Sequence, residues 1–454
     1  MTRLTREPAD VRGLAARAVL FRGTRDLLPI YALYGVLFAD HGLSTAEISL
    51  LLALWSVTAF VLEVPSGAWA DTVSRRALLV LSCTLQAACF ALWMLVPSLL
   101  GFALGFVVWG IASSLESGTF EALIYDDLVA RGEPSAYARI MGWTRGAQET
   151  TVLVAIVAAA PLFALGGYPL VGWVSVGIAV LHTLTAFALP SAPVAISATA
   201  VDELDEEPPA PGPHRVPAEV QGRSVGAAAE PGTRSARADQ HLASASTLTR
   251  YLTMLRTGTG EAFRVRRVRR GVLLGALLYG ITAFDEYFGL LAVSGGASTS
   301  TSALLVGVTV VGSLVGALLA GRTESLSART IAIAVFLAGI LFIAGALAVG
   351  AAVAAGPALL WIGFAGIAIA YGLDFNAEVI AGARLQDAIA GPARATVTSV
   401  SGLLSEIVAL AVFGFVAAAT QWLSMSTTIA LLGIVLLVAA LLIPTWMPPR
   451  GSTE

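Results

Sequence analysis

The chain contains no lysine: all 27 of its basic residues are arginine. Few functions demand the loss of every lysine, so we read this mainly as a codon-composition bias. Cysteine is nearly absent too. Cys83 and Cys89 fall in one apolar stretch, which excludes a secreted disulfide framework and offers no metal-ligand spacing. Charged residues make up only 13% of 454 positions, against about 25% in an ordinary soluble domain. The net charge of -3 gives no reason to expect nucleic acid as a partner. What fills the chain instead is apolar: 57% is hydrophobic and the mean hydropathy is +0.81. No soluble fold of this length hides so much apolar surface. Disordered, collagen-like and disulfide-scaffold proteins are excluded, and a polytopic all-α membrane protein is expected. The first 20 residues are polar and Arg-rich, with no cleavage-site pattern, so the first hydrophobic span is expected to be retained.

A membrane-spanning helix needs about 20 mostly apolar residues. Twelve such stretches occur, near 20–40, 46–70, 76–97, 99–125, 138–165, 168–190, 269–294, 300–321, 329–350, 356–384, 394–419 and 424–446. Arginine marks alternate loops. Arg75 and Arg76, Arg131 and Arg139, Arg322 and Arg329, and Arg384 and Arg394 lie on one side, while the loops at Pro97-Ser98 and Ser294 to Ser302 carry none. Arginine collects on the cytoplasmic side. Both termini are therefore expected in the cytoplasm, and the protein in a bacterial inner membrane. The chain divides into an N-terminal six-helix bundle (1–190), a cytoplasmic linker (191–263) and a C-terminal six-helix bundle (264–454). The acidic, Pro- and Gly-rich stretch 195–243 is expected to be disordered. Residues 245–263 suggest a surface helix, and Arg264, Arg266, Arg267, Arg269 and Arg270 an anchor touching anionic lipid.

The halves match at an offset of 254: Gly42-Leu-Ser44-Thr45 answers Gly296-Ala-Ser298-Thr299, Gly67 answers Gly321, Arg75 answers Arg329 and Gly118 answers Gly372. Six spans separate the copies, so they run parallel.

An ionisable group in hydrocarbon is expensive and normally faces a cavity or a partner. Such groups occur in spans 1, 2, 4, 5, 7, 10 and 11, whereas spans 3, 9 and 12 have none and should face lipid. Asp285 and Glu286 are the sharpest case, having no Arg or His within a turn. With Glu149 and Glu406, near mid-depth, they are the candidates for proton coupling. Arg145 sits one turn before Glu149 and offers it a structural partner. Aromatic walls suit flat or cationic organic molecules. Tyr31, Tyr34, Trp55, Trp109 and Tyr279 are candidates to line a cavity, together with Asp374 and Asn376.

Twelve spans, a parallel repeat and a long middle loop resemble the major facilitator superfamily. The local signature is Gly67-Ala-Trp-Ala-Asp71-Thr-Val-Ser74-Arg75-Arg76, similar to the family pattern Gly-x-Leu-Ala-Asp-Arg-x-Gly-Arg-Arg/Lys. Trp69, Thr72 and Ser74 depart from it, and Ser325 replaces the Asp in the second copy. The resemblance implies a cytoplasmic gate, for which the candidates are Glu63, Gly67, Asp71, Arg75, Arg76, Glu121, Asp126, Arg139 and Arg394. The segments Glu63 to Gly67, Gly118 to Asp126 and Pro392 to Thr396 are similar to a bacterial branch of exporters. Two features common among proton-driven members are missing: Ser114 stands where an Arg is usual, and Ala160-Pro161 precedes Gly166-Gly167 at a different spacing from the drug-antiporter run.

The resulting expectation is a monomeric secondary transporter, without cofactor or metal, that moves a small organic compound by proton-coupled efflux. Proton-linked or passive uptake is the alternative of the same class. A membrane enzyme has no nucleophile elbow or phosphate loop to support it, and a non-transporting sensor built on the linker is the remaining rival.

Overall fold

The computed structural model describes residues 9–191, 265–389 and 394–449. The expectations for 195–243 and for 245–263 lie outside the described residues. The described chain is all helical. The first part holds α1 (Ala9–Arg25), a 3-10 turn (Pro29–Ala32), α2 (Tyr34–Asp40), α3 (Thr45–Thr72), α4 (Arg75–Leu95), α5 (Leu99–Glu116), α6 (Thr119–Ala130) and α7 (Tyr137–Phe187). The second holds α8 (Arg266–Ile281), a 3-10 helix (Thr282–Tyr287), α9 (Phe288–Ser294), α10 (Thr299–Thr323), α11 (Ala328–Ala355), α12 (Pro357–Ala388), α13 (Arg394–Ala419) and α14 (Met425–Trp446).

Among the described residues, 10 helices are long and apolar enough to cross a membrane. This differs from the twelve expected spans in two places. Residues 138–165 and 168–190 run together in α7, interrupted only where Gly166 and Gly167 leave helical geometry. Gly167 sits at φ +61 and ψ -158, a conformation that glycine alone adopts cheaply. The span expected at 20–40 is instead broken into α1, a 3-10 turn and α2. Pro29 opens that turn without an N–H to satisfy, and the Ser175 hydroxyl accepts the Ile30 N–H at 3.1 Å, so the broken backbone stays bonded.

The repeat is visible in the backbone. Moving α2 (Tyr34–Asp40) by 254 lands on α9 (Phe288–Ser294), and the first 3-10 turn lands inside the second. Gly42 and Gly296 both take positive φ, at 89° and 92°. Ser44 and Ser298 then cap α3 and α10 with their side chains. Gly118 and Gly372 match in sequence but not in use. Gly118 breaks the chain at φ +70 before α6, whereas Gly372 lies inside α12 where that helix meets α10.

Packing follows small residues. A Cβ on Gly316 would collide with the Gly372 carbonyl and one on Gly312 with that of Ala368, so α10 and α12 approach backbone to backbone. In the first part α1 packs on α7, and α5 on both α3 and α4. In the second, α11 packs on α12 and α14. The two parts meet through α3 with α13, α7 with α10, and α2 with α9. The expected lipid-facing helices carry exposed aliphatic side chains, among them Leu81 on α4, Ile333 and Leu347 on α11, and Leu441 on α14.

Candidate functional site

A cavity of about 420 Å³ lies where the two parts meet. Residues of α1 and its break, α3, α5 and α7 line one side, and residues of the second 3-10 helix, α9, α10 and α12 the other. One wall is aromatic. Tyr31 stacks on Trp109 with ring centroids 5.4 Å apart, and Trp109 lies 5.5 Å from Trp55. Tyr34 and Phe106 complete it.

The opposite wall presents the acid pair. Tyr371 of α12 donates to Asp285 at 2.8 Å. Tyr34 donates to Glu286 across the junction of the two parts. The break in the second copy explains this placement. In a 3-10 helix successive residues turn about 120°, so neighbours in sequence serve different partners, one within its own part and one across. Tyr287, the next residue, shares a 2.7 Å hydrogen bond with Ser49 of α3, a second contact across the junction.

Arg25 and Asp26, which line the cavity, belong to a charge network of the first part. Arg22 and Arg25 each donate to Glu116 at 2.8 Å, and Arg22 also reaches Glu121. Arg25 pairs with Asp26 at 3.1 Å. Asp26 also accepts from Gln148 at 2.6 Å and from Tyr31 at 3.4 Å, and Gln86 donates to the Tyr31 oxygen at 3.2 Å. Each buried charge therefore meets an opposite one. His182 is fully buried beside this network, its Nδ1 3.0 Å from the Thr24 hydroxyl and its ring 4.5 Å from that of Phe21.

A second cavity of about 500 Å³ adjoins the first, sharing Trp55 and Ser113, and runs toward the end that carries Arg75. Tyr279, Glu63 and Glu406 line it, and Ser56 of α3 donates to Glu406 of α13. At the Arg75 end itself, Arg75 pairs with Asp126 and Arg76 donates to the Phe187 carbonyl. These contacts join the start of α4 to α6 and to the end of α7.

The sequence-based candidates thus separate. Tyr31, Tyr34, Trp55, Trp109, Asp285 and Glu286 share the central cavity. Tyr279, Glu406 and Glu63 belong to the adjoining one. Asp374 and Asn376 lie outside the lining of both. Asp374 is fully buried, and Asn376 ties α12 to α10 by donating to Gly316 O and Thr323 Oγ1, both at 2.9 Å. Glu149 stands 4.0 Å from Arg145, with both side chains exposed and neither among the residues that line the two cavities. Glu121 pairs with Arg22 of α1. Arg139 lies over the Trp143 ring at 5.5 Å. Gly67 lies in α3, but its surroundings and the side chains of Asp71 and Arg394 lie outside the described residues.

Sequence reasoning missed Gln86, Gln148 and Tyr371 as parts of the site, and Arg384 as a fastener. Arg384 is buried and donates to the carbonyls of Glu324 at 2.8 Å and Leu326 at 2.7 Å, closing the end of α10 where the degenerate second copy of the signature lacks its Asp. An amide in a span without charge was the available signal for Gln86, whereas Gln148 stands beside Glu149 and Arg145 in a span that already carries charge. Among the described residues no His, Cys, Asp and Glu group is arranged to hold a metal ion.

Comparison with known proteins fits this architecture. Residues 18–379 match the family model described as Major Facilitator Superfamily. The fold is similar to that of the nucleoside transporter NupG, with a TM-score of 0.65 and 14% identity over 97% of this chain and 99% of that one. A bacterial homologue of the iron transporter ferroportin in an inward-facing state gives 0.63 and 15% over 97% and 98%. A D-xylose-proton symporter gives 0.63 and 15% over 96% and 98%. At such identities the likeness is one of fold. No protein of curated function matches the chain in sequence.

Proposed function

Since the chain belongs to the Major Facilitator Superfamily, we propose that it is a secondary transporter of the bacterial cytoplasmic membrane that exports a small aromatic cation in exchange for protons. Membership in a family of transporters, not of enzymes, supports a non-catalytic role. The α7 kink at Gly166-Gly167 divides two spans, and α1 with α2 makes another, so the chain crosses the membrane twelve times in two six-helix bundles. The Arg75 end faces the cytoplasm, in keeping with the arginine-rich loops. The bundles rock about the central cavity, which opens to either side in turn.

One observation carries this reading: Tyr34 of the first bundle donates to Glu286 of the second at the wall of a cavity that both bundles line. A hydrogen bond to an ionised carboxylate is about twice as strong as one between neutral partners. Protonation of Glu286, or neutralisation by a bound cation, weakens this tie and loosens the closed end. Asp285, tied to Tyr371 within the second bundle, supplies a second negative group. The facing Tyr31, Trp55 and Trp109 offer ring faces to the substrate. Proton and cation then compete for the same acids, which is the requirement for exchange.

The test is accumulation of ethidium, as an aromatic cation probe, in inverted vesicles under an imposed pH gradient. Wild-type protein should drive accumulation, and the Asp285→Asn, Glu286→Gln double variant should lose it at least tenfold. Gradient-driven accumulation that survives in the double variant would overturn the coupling assignment. Accumulation seen only in right-side-out vesicles would reverse the direction.

A further inference from the structure

We propose that Asp374, in the interior of α12, is a proton-binding site linked through Tyr371 to Asp285 at the central cavity. The proposal rests on the proton-coupled reading above and extends it to a residue that lines neither cavity. Asp374 is fully buried, and neither of its carboxyl oxygens has a hydrogen-bond partner among the described residues. Contrast Asp26 and Glu116, each of which meets a guanidinium. An ionised carboxylate left alone in a low-dielectric interior is strongly penalised, so the form that belongs here is the neutral acid. A group that must carry its proton in one conformation, and that sits one turn from a cavity acid's partner, is placed to release that proton in another.

The neighbours fit a proton and not a counter-ion. The helices packed on α12 are α8, α10 and α11. Helix α10 has no ionisable side chain before Arg322, and α11 none beyond Arg329 at its start. Helix α8 brings Tyr279, with its arginines grouped in its first turns. The remaining titratable groups lie along α12 itself or reach it from the cavity. Tyr371 is three residues before Asp374 and Glu378 four after, spacings that put side chains about 5–6 Å apart on one helix face. Tyr371 holds Asp285 at 2.8 Å. Glu378 is half-buried, one of its oxygens is also without a partner, and it stands within electrostatic reach of Arg145 and Tyr279. The order Asp285, Tyr371, Asp374, Glu378 is therefore a column of proton-bearing groups. It runs from the central cavity along α12 toward its Arg384 end.

The test needs no substrate, so its outcome is independent of whether ethidium is carried. The full chain is reconstituted in liposomes in sodium-free buffer, and the infrared C=O stretch of protonated carboxyls is followed through neutral pH and during exchange into heavy water. The wild type should show a protonated-carboxyl band at neutral pH that Asp374→Asn removes and Asp374→Glu keeps. Asp374→Glu also covers the case in which the Asn variant fails to fold. Its hydrogen–deuterium exchange should slow at least tenfold in Tyr371→Phe, an effect that a merely structural buried acid would not show. Absence of an Asp374-dependent band at neutral pH overturns the proposal. So does a band that sodium abolishes, which would make Asp374 a sodium site. Exchange unchanged in Tyr371→Phe overturns the link to the cavity.

Discussion

Glu116 accepts from two guanidiniums at once, and both Arg22 and Arg25 depend on it. Removing Glu116 takes one of two acidic partners from each guanidinium, Arg22 keeping Glu121 and Arg25 keeping Asp26, so the loss lies at the lower end of the roughly 3–5 kcal/mol that breaking a buried pair costs. Glu116→Ala should therefore lower the thermal stability of the detergent-purified protein by about 3 kcal/mol. Replacing the exposed Glu149, 4.0 Å from Arg145, should change it by less than about 1 kcal/mol. A thermal-shift comparison of the two variants checks the contrast. Both acids stand out equally in the sequence as charges in apolar spans. What separates them is the partner, and Glu116 finds its arginines 94 and 91 residues away in the chain. No local pattern reports a contact at that range.

At the scale of elements, glycine decides how near helices come. Gly316 and Gly372 let α10 and α12 touch through their backbones. Gly372→Val adds volume with nowhere to go, since the opposing atoms are main chain, and overpacking costs about 1–3 kcal/mol or more. We expect the variant to be recovered at markedly lower yield as monodisperse protein, whereas Gly382→Ala, which meets no neighbouring atom, should behave as the wild type. Size-exclusion profiles distinguish them. Most element boundaries were legible beforehand. Gly42-Leu-Ser44 and Gly296-Ala-Ser298 announce a turn and a helix cap by residue type alone, and both occur as such. The broken first span was not legible, because residues 20–40 are apolar enough to read as one helix. Pro29 ends it only because Ser175 of α7 supplies an acceptor for the freed backbone.

At the scale of the molecule, the two parts are tied by Tyr34 with Glu286 and Ser49 with Tyr287 near one end of the central cavity. The adjoining cavity extends toward the other end. Alternating access requires the tied end to open. Cysteines introduced as Ser49→Cys and Tyr287→Cys, with Cys83 and Cys89 replaced by Ala, lie a tyrosine's length apart, too far for a direct disulfide, and a bis-methanethiosulfonate cross-linker that bridges them should stop ethidium transport. A reducing agent should restore it. Transport that continues with the cross-link formed, as judged by mobility on a gel, would show that this end does not need to part.

The sequence by itself determined the solvent, the family and the repeat. These follow from composition, apolar run length and turn chemistry, all of which act over a few residues or sum over the whole chain. The tertiary structure alone decided which acids are paired, which are shared across the junction and which is left alone. Asp285, Glu286, Asp374 and Glu406 all stand out in the sequence as acids within apolar spans. In space Asp285 meets Tyr371, Glu286 meets Tyr34 and Glu406 meets Ser56, while Asp374 has no hydrogen-bond partner among the described residues. The helices around them are apolar nearly all round, so no polar face in the sequence says which way a side chain points. That is set by rotation of each helix about its axis, which tertiary packing fixes, as where Gly312 and Gly316 of α10 meet the backbone of α12.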